Sequence, residues 1–514
     1  MFSTVLTGAF CGIDSYLVQV EVDVASGLPC MEMIGSLSKE AGEAKERVRV
    51  ALKNMGFSLP PSHITINFSP ADRHKSGTLF DLPAAVGLLI SMGKISGTKA
   101  EGILFAGELG LNGEVKAVKG ILPIVQRAAA SGVKVCVVPR GNEEEAAVID
   151  GMCVYGVSHL SQVTDALASD SQGFEACGIL PAGKSRNPGD IQEIAVDFAD
   201  ISGQESVKRA AEIAAAGFHH LMLVGPPGSG KTMIAKRIPS ILPPLTYDES
   251  IEVSSVYSVS GRLKDGKILT NRPFVAPHHT VTGCALVGGG RVPAPGAVSL
   301  AHRGVLFLDE MTEFSRYVLD VLRQPLEERK VLITRAYGNI EYPADFMLVA
   351  ALNPCPCGYY PDENKCHCSA SEIRRYLSRI SGPVRDRMDL CVEVPGIKVK
   401  DMVASGQGER SADIRERVMR ARARQEQRFG GTGVRFNSEM GKAELKAYCP
   451  LGEIQQKHLL QLFERLGMSA RAYDKVLRTA RTIADLADEE EISVKHINEA
   501  VYYRTSADKY WEGM

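Results

Sequence analysis

The segment GPPGSGKT, at positions 225–232, constrains the fold more strongly than any other part of this 514-residue chain. Its glycine, four variable residues and closing Gly-Lys-Thr have the spacing of a phosphate-binding loop. The apolar run HLMLV precedes the loop and MIAKRI follows it, so the loop is predicted to join a strand to a helix. The chain is therefore expected to contain a parallel α/β sheet that binds a nucleotide at one strand end.

The loop residues have distinct expected parts in binding ATP. Glycines let backbone N–H groups surround phosphate oxygens without clashes from a Cβ atom, and the helix N-terminus adds partial positive charge. Lys231 is expected to reach the β- and γ-phosphates, and Thr232 to hold Mg²⁺. The predicted nucleotide-binding loop consists of Gly225, Pro226, Pro227, Gly228, Ser229, Gly230, Lys231 and Thr232.

Two other predicted strands end in polar residues suited to the same site. The segment VLFLDE places Asp309 and Glu310 directly after four apolar residues. Asp309 is expected to hold Mg²⁺ through its water shell, and Glu310 to orient and activate the attacking water. The segment FMLVAALN ends in Asn353, which is expected to sense the γ-phosphate and help position that water.

Composition leaves the class of partner open. The net charge is −2, so any nucleic-acid-binding surface must be local. No apolar run approaches the roughly 18 residues of a membrane span, and the N-terminus lacks the pattern of a signal peptide. Twelve cysteines in such a chain indicate reduced thiols or a metal rather than disulfides. A cytoplasmic protein without a membrane partner is therefore expected.

Changes in periodicity divide the chain into four predicted parts. Strand-like and helix-like segments alternate over residues 1–168, and a stretch rich in Gly, Ser and Pro, 169–190, is predicted to be a linker. Short apolar strands alternate with helices over 191–395, as in a parallel α/β sheet. The remainder, 396–514, is predicted to be helical and is rich in arginine.

Four longer segments accompany these motifs, namely DISGQESVKRAAEIAAAG, PHHTVTGCALVGGGRVPAPGAVSLAHRGVLFLDE, NPCPCGYY and SARAYDKVLRTARTIADL. These segments and the order of the motifs resemble AAA+ ATPases, and more narrowly magnesium-chelatase-like AAA+ proteins. Nearly the whole chain resembles the YifB/ComM family of bacteria, which is implicated in DNA branch migration during natural transformation. The resemblance implies an α/β fold with an N-terminal Lon-protease-like (S5 D2-like) domain, an AAA+ P-loop parallel sheet and a C-terminal helical lid.

This resemblance implies further site residues. Gln204 would lie near the adenine, and Arg471 matches a sensor-2 arginine at the start of a lid helix. The segment RDRMDL resembles the Ser-Arg-Phe-Asp-Leu stretch of MCM helicases and places Arg387 at the arginine finger, with Arg385 as the alternative. A finger that acts in trans implies a ring, expected to be a homo-hexamer.

The resemblance also implies DNA contacts. The segment KVLITRAYGNIEYPA predicts a hairpin with AYGN as its turn, similar to the pore hairpin of MCM-type helicases. Arg335 falls where those helicases carry a DNA-contacting lysine, and Tyr337 offers an aromatic platform. The stretch 283–296 resembles the helix-2 insertion, with Arg291 as its cation. The implied partner is single-stranded or branched DNA, and an ordinary surface loop remains the alternative at both places.

The function expected from the resemblance is an ATP-driven DNA translocase or branch-migration helicase. Residues 103–145 resemble the proteolytic domain of Lon, but its serine and lysine positions are matched by Leu79 and Leu122. A leucine side chain can neither attack a carbonyl nor accept a proton, and Ser76 lies three positions away, so a protease is disfavoured. Protein remodelling is one alternative. A metal-chelatase motor subunit is another, although the partner's D-x-S-x-S metal motif is absent from the sequence.

The segment NPCPCGYYPDENKCHC concentrates cysteines directly after the third strand end. Two Cys-x-Cys pairs can close a tetrahedral Zn²⁺ site, and a small polar loop without an apolar core needs something else to order it. His367 as a replacement ligand, plain thiols and an iron–sulfur cluster are the alternatives. The predicted zinc ligands are Cys355, Cys357, Cys366 and Cys368.

Overall fold

The structure is a computed structural model that describes residues 1–183, 196–263, 266–290, 293–335, 338–396 and 408–511. Within these residues the chain forms one seven-stranded and one five-stranded sheet, with three short antiparallel pairs. Separate apolar cores lie against the two sheets. No helix in this part of the chain combines the length and apolar content required to cross a membrane.

The N-terminal sheet is mixed, with the strand order β3-β4-β2-β1-β5-β8-β9. The pairs β1–β2 and β2–β4 are antiparallel, and the other neighbours are parallel. Alternate residues of β2 are buried, which is the pattern expected of a strand with one face on a core. The strands are β1 (Phe2–Cys11), β2 (Asp14–Ala25), β3 (Cys30–Ile34), β4 (His63–Ser69), β5 (Ile103–Phe105), β6 (Glu108–Leu109), β7 (Val115–Lys116), β8 (Val135–Pro139) and β9 (Cys153–Val157).

Helices cover this sheet, and one of them, Asp81–Ser91, is buried along its whole length. The helical periodicity before β4 corresponds to two helices, which meet at Glu43. The α-helices of this part are Lys39–Gly42, Ala44–Asn54, Asp81–Ser91, Gly97–Ala100, Ile121–Ala130, Glu143–Ala147 and Leu160–Ala166.

The predicted linker at 169–190 is partly wrong, because its first half packs onto the N-terminal core. Phe174 stacks on Tyr155 with ring centroids 4.7 Å apart, and Ile179 is buried in the same core. The backbone N–H of Ala182 donates to the carbonyl of Val154. Two apolar side chains in a Gly- and Ser-rich stretch suffice to fix it beside β9, and 184–190 lie outside the described residues.

The second sheet is parallel throughout, with the order β11-β14-β17-β10-β18, as the phosphate-loop context predicted. Its central strands β10, β14 and β17 are fully buried. Leu221 and Leu223 face one core, and Met222 and Val224 face the other. The strands are β10 (Leu221–Val224), β11 (Phe274–Val275), β12 (Gly288–Gly289), β13 (Ala294–Pro295), β14 (Val305–Leu308), β15 (Lys330–Arg335), β16 (Gly338–Pro343), β17 (Met347–Leu352) and β18 (Leu390–Glu393).

Helices pack on both faces of this sheet. Thr246 and Glu249 form a capping box at the start of Tyr247–Ser260. That helix also contacts the N-terminal part, where the Ser258 hydroxyl donates to Glu145 Oε2 at 2.7 Å. The α-helices are Glu205–Gly217, Lys231–Ile241, Tyr247–Ser260, Gly283–Val287, Ala297–Leu300, Arg316–Val321, Arg323–Glu328, Ala370–Leu377 and Gly382–Arg385.

The C-terminal part is helical, and several of its arginines are engaged in internal contacts. Arg417 pairs with Glu212 and Glu409, while the guanidinium of Arg422 lies 3.9 Å from the centroid of the Phe436 ring. The Arg-rich helix at the start of this part is therefore at least partly a packed, ion-paired element. The α-helices are Ser411–Phe429, Lys442–Tyr448, Glu453–Leu466, Ala470–Leu486 and Val494–Thr505.

The hairpin predicted before the third strand end is formed by β15 and β16. The ladder extends from the pair Lys330–Pro343 to the pair Arg335–Gly338. The prediction of AYGN as the turn is therefore too long, because Gly338 and Asn339 already belong to β16.

Candidate nucleotide site and metal centre

The three predicted strand ends meet at one edge of the parallel sheet. The hydroxyl of Thr232 donates to Asp309 Oδ2 at 2.8 Å, and Lys231 Nζ donates to Asn353 Oδ1 at 3.1 Å. The carboxyl ends of adjacent parallel strands are where α/β proteins bind ligands. The structure thus brings the loop, the Asp-Glu pair and the strand-end asparagine together.

The phosphate-binding loop has a backbone suited to an anion. Gly228 and Gly230 have φ values of 73° and 87°, a left-handed conformation that a Cβ atom would disfavour. The hydroxyl of Ser229 is buried and has no hydrogen-bond partner among the described residues. The loop ends at the N-terminus of the helix Lys231–Ile241, where free N–H groups favour negative charge. These features fit the phosphates of a nucleotide.

Lys231 lies folded against its own loop. Its ammonium group donates to the carbonyls of Gly225 and Pro226 at 2.7 and 2.8 Å. Burial lowers the pKa of Lys231 to about 8, against the opposing effect of the nearby carboxylates of Asp309 and Glu310. A phosphate group would replace these carbonyls with a stronger partner for the ammonium and would raise its pKa again.

ATP affinity is therefore expected to fall as the pH rises above about 8. The free protein loses the Lys231 proton in that range, while the complex keeps it, so binding must take up a proton. Well above pH 8, the ATP affinity should fall by about tenfold for each further pH unit. Calorimetric titrations at several pH values, in buffers of different ionisation heat, measure both affinity and proton uptake. Lys231→Arg keeps its charge and should show no such slope. A pH-independent wild-type affinity would contradict this assignment.

Glu310 and Asp309 differ in their surroundings. Asp309 is tied to Thr232 and also accepts the backbone N–H of Glu310 at 3.0 Å, so its carboxylate is held in place. Glu310 is exposed and adopts a left-handed φ of 49°, which is uncommon for a residue with a side chain. Because Glu310 is exposed, water can reach its carboxylate. The pair can thus provide one metal-binding oxygen site and one solvent-facing base.

Gln204 contacts the phosphate-binding loop directly. Its side-chain amide donates to the carbonyl of Ser229 at 2.8 Å and to that of Pro395 at 3.3 Å. Its φ of 60° begins the helix Glu205–Gly217. The structure therefore gives Gln204 a role in holding the loop backbone, and its proposed place near the adenine remains a prediction.

Arg387 and Arg471 line a common cleft away from the phosphate-binding loop. Among the described residues, the lining of this cleft includes neither the loop nor Asp309, Glu310 or Asn353. The Arg387 guanidinium is ion-paired with Glu327. Arg385, the alternative finger, instead lies over the Trp511 ring at 5.5 Å. Arg387 thus lines the cleft while Arg385 packs on an aromatic ring, and the choice between them as the finger remains a prediction.

The cleft contains further cationic side chains that were not predicted from the sequence. Lys475 and Arg478 line it together with Arg471, and Arg329 reaches it from the segment between helix and hairpin. Residues at positions i, i+4 and i+7 share one face of a helix, so Arg471, Lys475 and Arg478 project together from Ala470–Leu486. The same spacing in the sequence could have indicated a cationic face on this helix.

The four cysteines converge as predicted for a metal centre. Their Sγ atoms all lie within 4.8 Å of one another, and Cys355 Sγ is 3.3 Å from Cys357 Sγ and 3.7 Å from Cys366 Sγ. A tetrahedral Zn²⁺ with Zn–S bonds of about 2.3 Å requires edges of about 3.8 Å. Cys355 is fully buried, whereas His367 is exposed and outside the group. The donor set fits Zn²⁺ with four thiolates, and the histidine is not needed.

Three predicted DNA contacts fall wholly or partly outside the described residues. Arg335 ends β15, but its side chain is not described. Tyr337 and Arg291 lie outside the described residues altogether. The backbone of Arg335 pairs with Gly338 in the last rung of the hairpin ladder.

The positions that would carry a Ser–Lys dyad are buried in the N-terminal core. Leu79 is 1% exposed and Leu122 is 0% exposed. The nearest lysine to Ser76 is Lys75, which is itself buried and donates to the carbonyl of Arg73 at 2.8 Å. Among the described residues, these positions offer apolar packing instead of a nucleophile and a base.

Comparisons with known families agree with the motifs. The family described as "Magnesium chelatase, subunit ChlI" matches residues 197–402. The family described as "Subunit ChlI of Mg-chelatase" matches 20–142, and the C-terminal family of the same subunit matches 408–504.

Curated relatives match almost the whole chain. Competence protein ComM of Haemophilus influenzae is 39% identical over 501 residues, which is 97% of each chain. The protein YifB of Escherichia coli is 40% identical over 508 residues, or 98% of this chain and 97% of its own. Lon protease 2 of Bacillus subtilis is 30% identical over 183 residues, or 31% of this chain and 33% of its own. The fold class predicted from the sequence is thereby confirmed.

Proposed function

The chain belongs to the ComM/YifB family of magnesium-chelatase-like AAA+ proteins, and we propose that it is an ATP-driven, ring-forming motor that translocates DNA and drives branch migration. The observation that carries the proposal is the placement of the β15–β16 hairpin. It is inserted between β14, which leads to Asp309 and Glu310, and β17, which ends before Asn353. Loss of the γ-phosphate on hydrolysis would therefore alter the contacts at the ends of β14 and β17, the two strands between which the hairpin is inserted.

ATP hydrolysis is assigned to the strand-end residues. Thr232 and Asp309 would hold Mg²⁺, which neutralises developing charge on the phosphate oxygens. Lys231 would leave the loop carbonyls for the phosphates, and Asn353, which it now contacts, would be released to orient water. Glu310 would take the proton of the attacking water, since it is the exposed carboxylate at this edge.

The ring is proposed from the position of the two arginines. Arg387 and Arg471 share a cleft apart from their own phosphate-binding loop, so a nucleotide bound by a neighbouring subunit is the ligand they are best placed to meet. Each active site would then contain residues of two subunits. In a closed ring every site has a neighbouring subunit that supplies these arginines. A homo-hexamer is the proposed assembly.

One structural Zn²⁺ per chain is proposed for the cysteine cluster. The Sγ separations fit a tetrahedral thiolate site, and residues 362–365, between the two pairs, are exposed and polar. The proposed location is the cytoplasm, where four close thiols stay reduced and available to a metal.

Arg335 is the proposed DNA contact, because it ends β15 at the hairpin tip. Arg335→Ala should remove a phosphate contact, so DNA-stimulated ATP turnover should fall about tenfold while turnover without DNA stays near normal. The loss should be similar for all DNA sequences, since phosphate contacts carry no base information.

Lys330→Ala is the matched control for this experiment. Lys330 lies at the other end of the same strand and pairs with Glu341 at 2.9 Å, so its loss should leave DNA stimulation unchanged. If DNA stimulates the Arg335→Ala variant as much as the wild type, the proposal that the hairpin contacts DNA is contradicted.

A further inference from the structure

The cysteine cluster lies directly against the phosphate-binding loop. Gly358, the residue after Cys357, has a φ of 86°, and a methyl group placed on it would lie 2.4 Å from Pro227 Cδ. The backbone of the cysteine loop therefore touches the pyrrolidine ring of Pro227, with no room for a side chain. The contact joins the metal centre to the nucleotide site within one subunit.

The sulfur of Cys355 accepts hydrogen bonds that hold this glycine in place. The backbone N–H groups of Gly358 and Tyr360 donate to Cys355 Sγ at 3.2 and 3.4 Å. Such bonds are stronger to a metal-bound thiolate than to a neutral thiol, because the acceptor carries charge. Cys355 also lies two residues after Asn353, so the turn that meets Pro227 is held by a residue that closely follows the strand end.

The opposite side of the phosphate-binding loop is also braced. A methyl group at Gly225 would lie 2.3 Å from the carbonyl oxygen of Val394, and Gln204 bonds to the carbonyls of Ser229 and Pro395. The glycine-rich loop is thus enclosed between the end of β18 and the cysteine turn. Without one of these walls, a loop of this composition gains many conformations that do not bind phosphate.

We propose that the metal bound by the four cysteines presses the Gly358 turn against Pro227 and thereby sets the nucleotide affinity of its own subunit. The inference rests on the zinc site proposed above and adds to it a consequence in cis. Loss of the metal frees the turn, lowers the fraction of binding-competent loop and weakens nucleotide binding in proportion.

The test compares metal content and ADP affinity in the same samples of full-length protein. Cys366→Ser/Cys368→Ser removes the two ligands that are farther along the chain from the loop. It should lose zinc by elemental analysis and bind ADP about tenfold more weakly by calorimetry. Gly358→Ala should keep zinc yet also weaken ADP binding, because the added methyl displaces the turn from Pro227. Cys30→Ser, at an exposed cysteine of the N-terminal sheet, is the matched control and should change neither quantity.

If the double variant does not fold, zinc can instead be removed from the wild-type protein with a chelator. ADP affinity should fall on stripping and return when Zn²⁺ is added back. Unchanged ADP affinity after confirmed loss of zinc would overturn this inference, but the proposal that the four cysteines bind zinc would stand. Wild-type protein that binds ADP tightly without any metal would overturn both. Neither result bears on DNA-stimulated turnover, which tests the motor function separately.

Discussion

Glu310→Gln is expected to lower ATP turnover by about 10²-fold or more while leaving ATP binding intact. Glutamine keeps the shape of the side chain but cannot accept the proton of the attacking water. Binding depends on the loop and on the Thr232–Asp309 pair, which the substitution does not touch. Steady-state phosphate release and calorimetric ATP titration measure the two quantities. Lys231→Ala should instead lose binding as well.

Glu313→Gln is the matched control for this prediction. Glu313 lies three residues farther along and forms an ion pair with Arg379 at 3.1 Å on the protein surface. It should retain nearly full turnover, because exposed ion pairs contribute little. Normal turnover in Glu310→Gln would show that another group activates the water.

Arg387→Ala is expected to lower turnover by about 10³-fold or more, since a finger arginine stabilises charge in the phosphoryl-transfer transition state. Because the arginine is proposed to act on a neighbour, two inactive variants should rescue each other. A random equal mixture of Arg387→Ala and Glu310→Gln subunits should recover about a quarter of wild-type turnover, since that share of interfaces joins an intact finger to an intact base.

Arg385→Ala serves as the control for the finger. Arg385 stacks on Trp511, so its loss should cost packing and little catalysis. A mixture that stays inactive, although each variant still assembles, would mean that Arg387 acts within its own subunit or not at all.

Much of the nucleotide site was predictable because each part of it lies within a short segment. A strand, a glycine-rich turn and a helix are encoded together around Lys231. The placement of Asp309 and Asn353 beside it follows from the rule that parallel strands end at one edge. The cysteine cluster was equally predictable, because tight pairs of ligands need little tertiary information to converge.

Contacts between distant segments were not predictable from such patterns. Nothing in the sequence shows that Gly358 meets Pro227, since a glycine in a turn is explained just as well by its φ alone. The packing of Phe174 and Ile179 was hidden by the Gly- and Ser-rich composition around them. The shared cleft of Arg387 and Arg471 depends on how the helical C-terminal part packs on the sheet.

ATP turnover of the wild-type protein with different partners tests most directly the proposal that the protein is a motor that acts on DNA. The rate is measured without DNA, with single-stranded, duplex and branched DNA, and with unfolded protein. We expect a several-fold increase with single-stranded or branched DNA, which declines steeply as salt is raised. A rate unaffected by every DNA and increased by unfolded protein would contradict the proposal and identify a protein-remodelling motor instead.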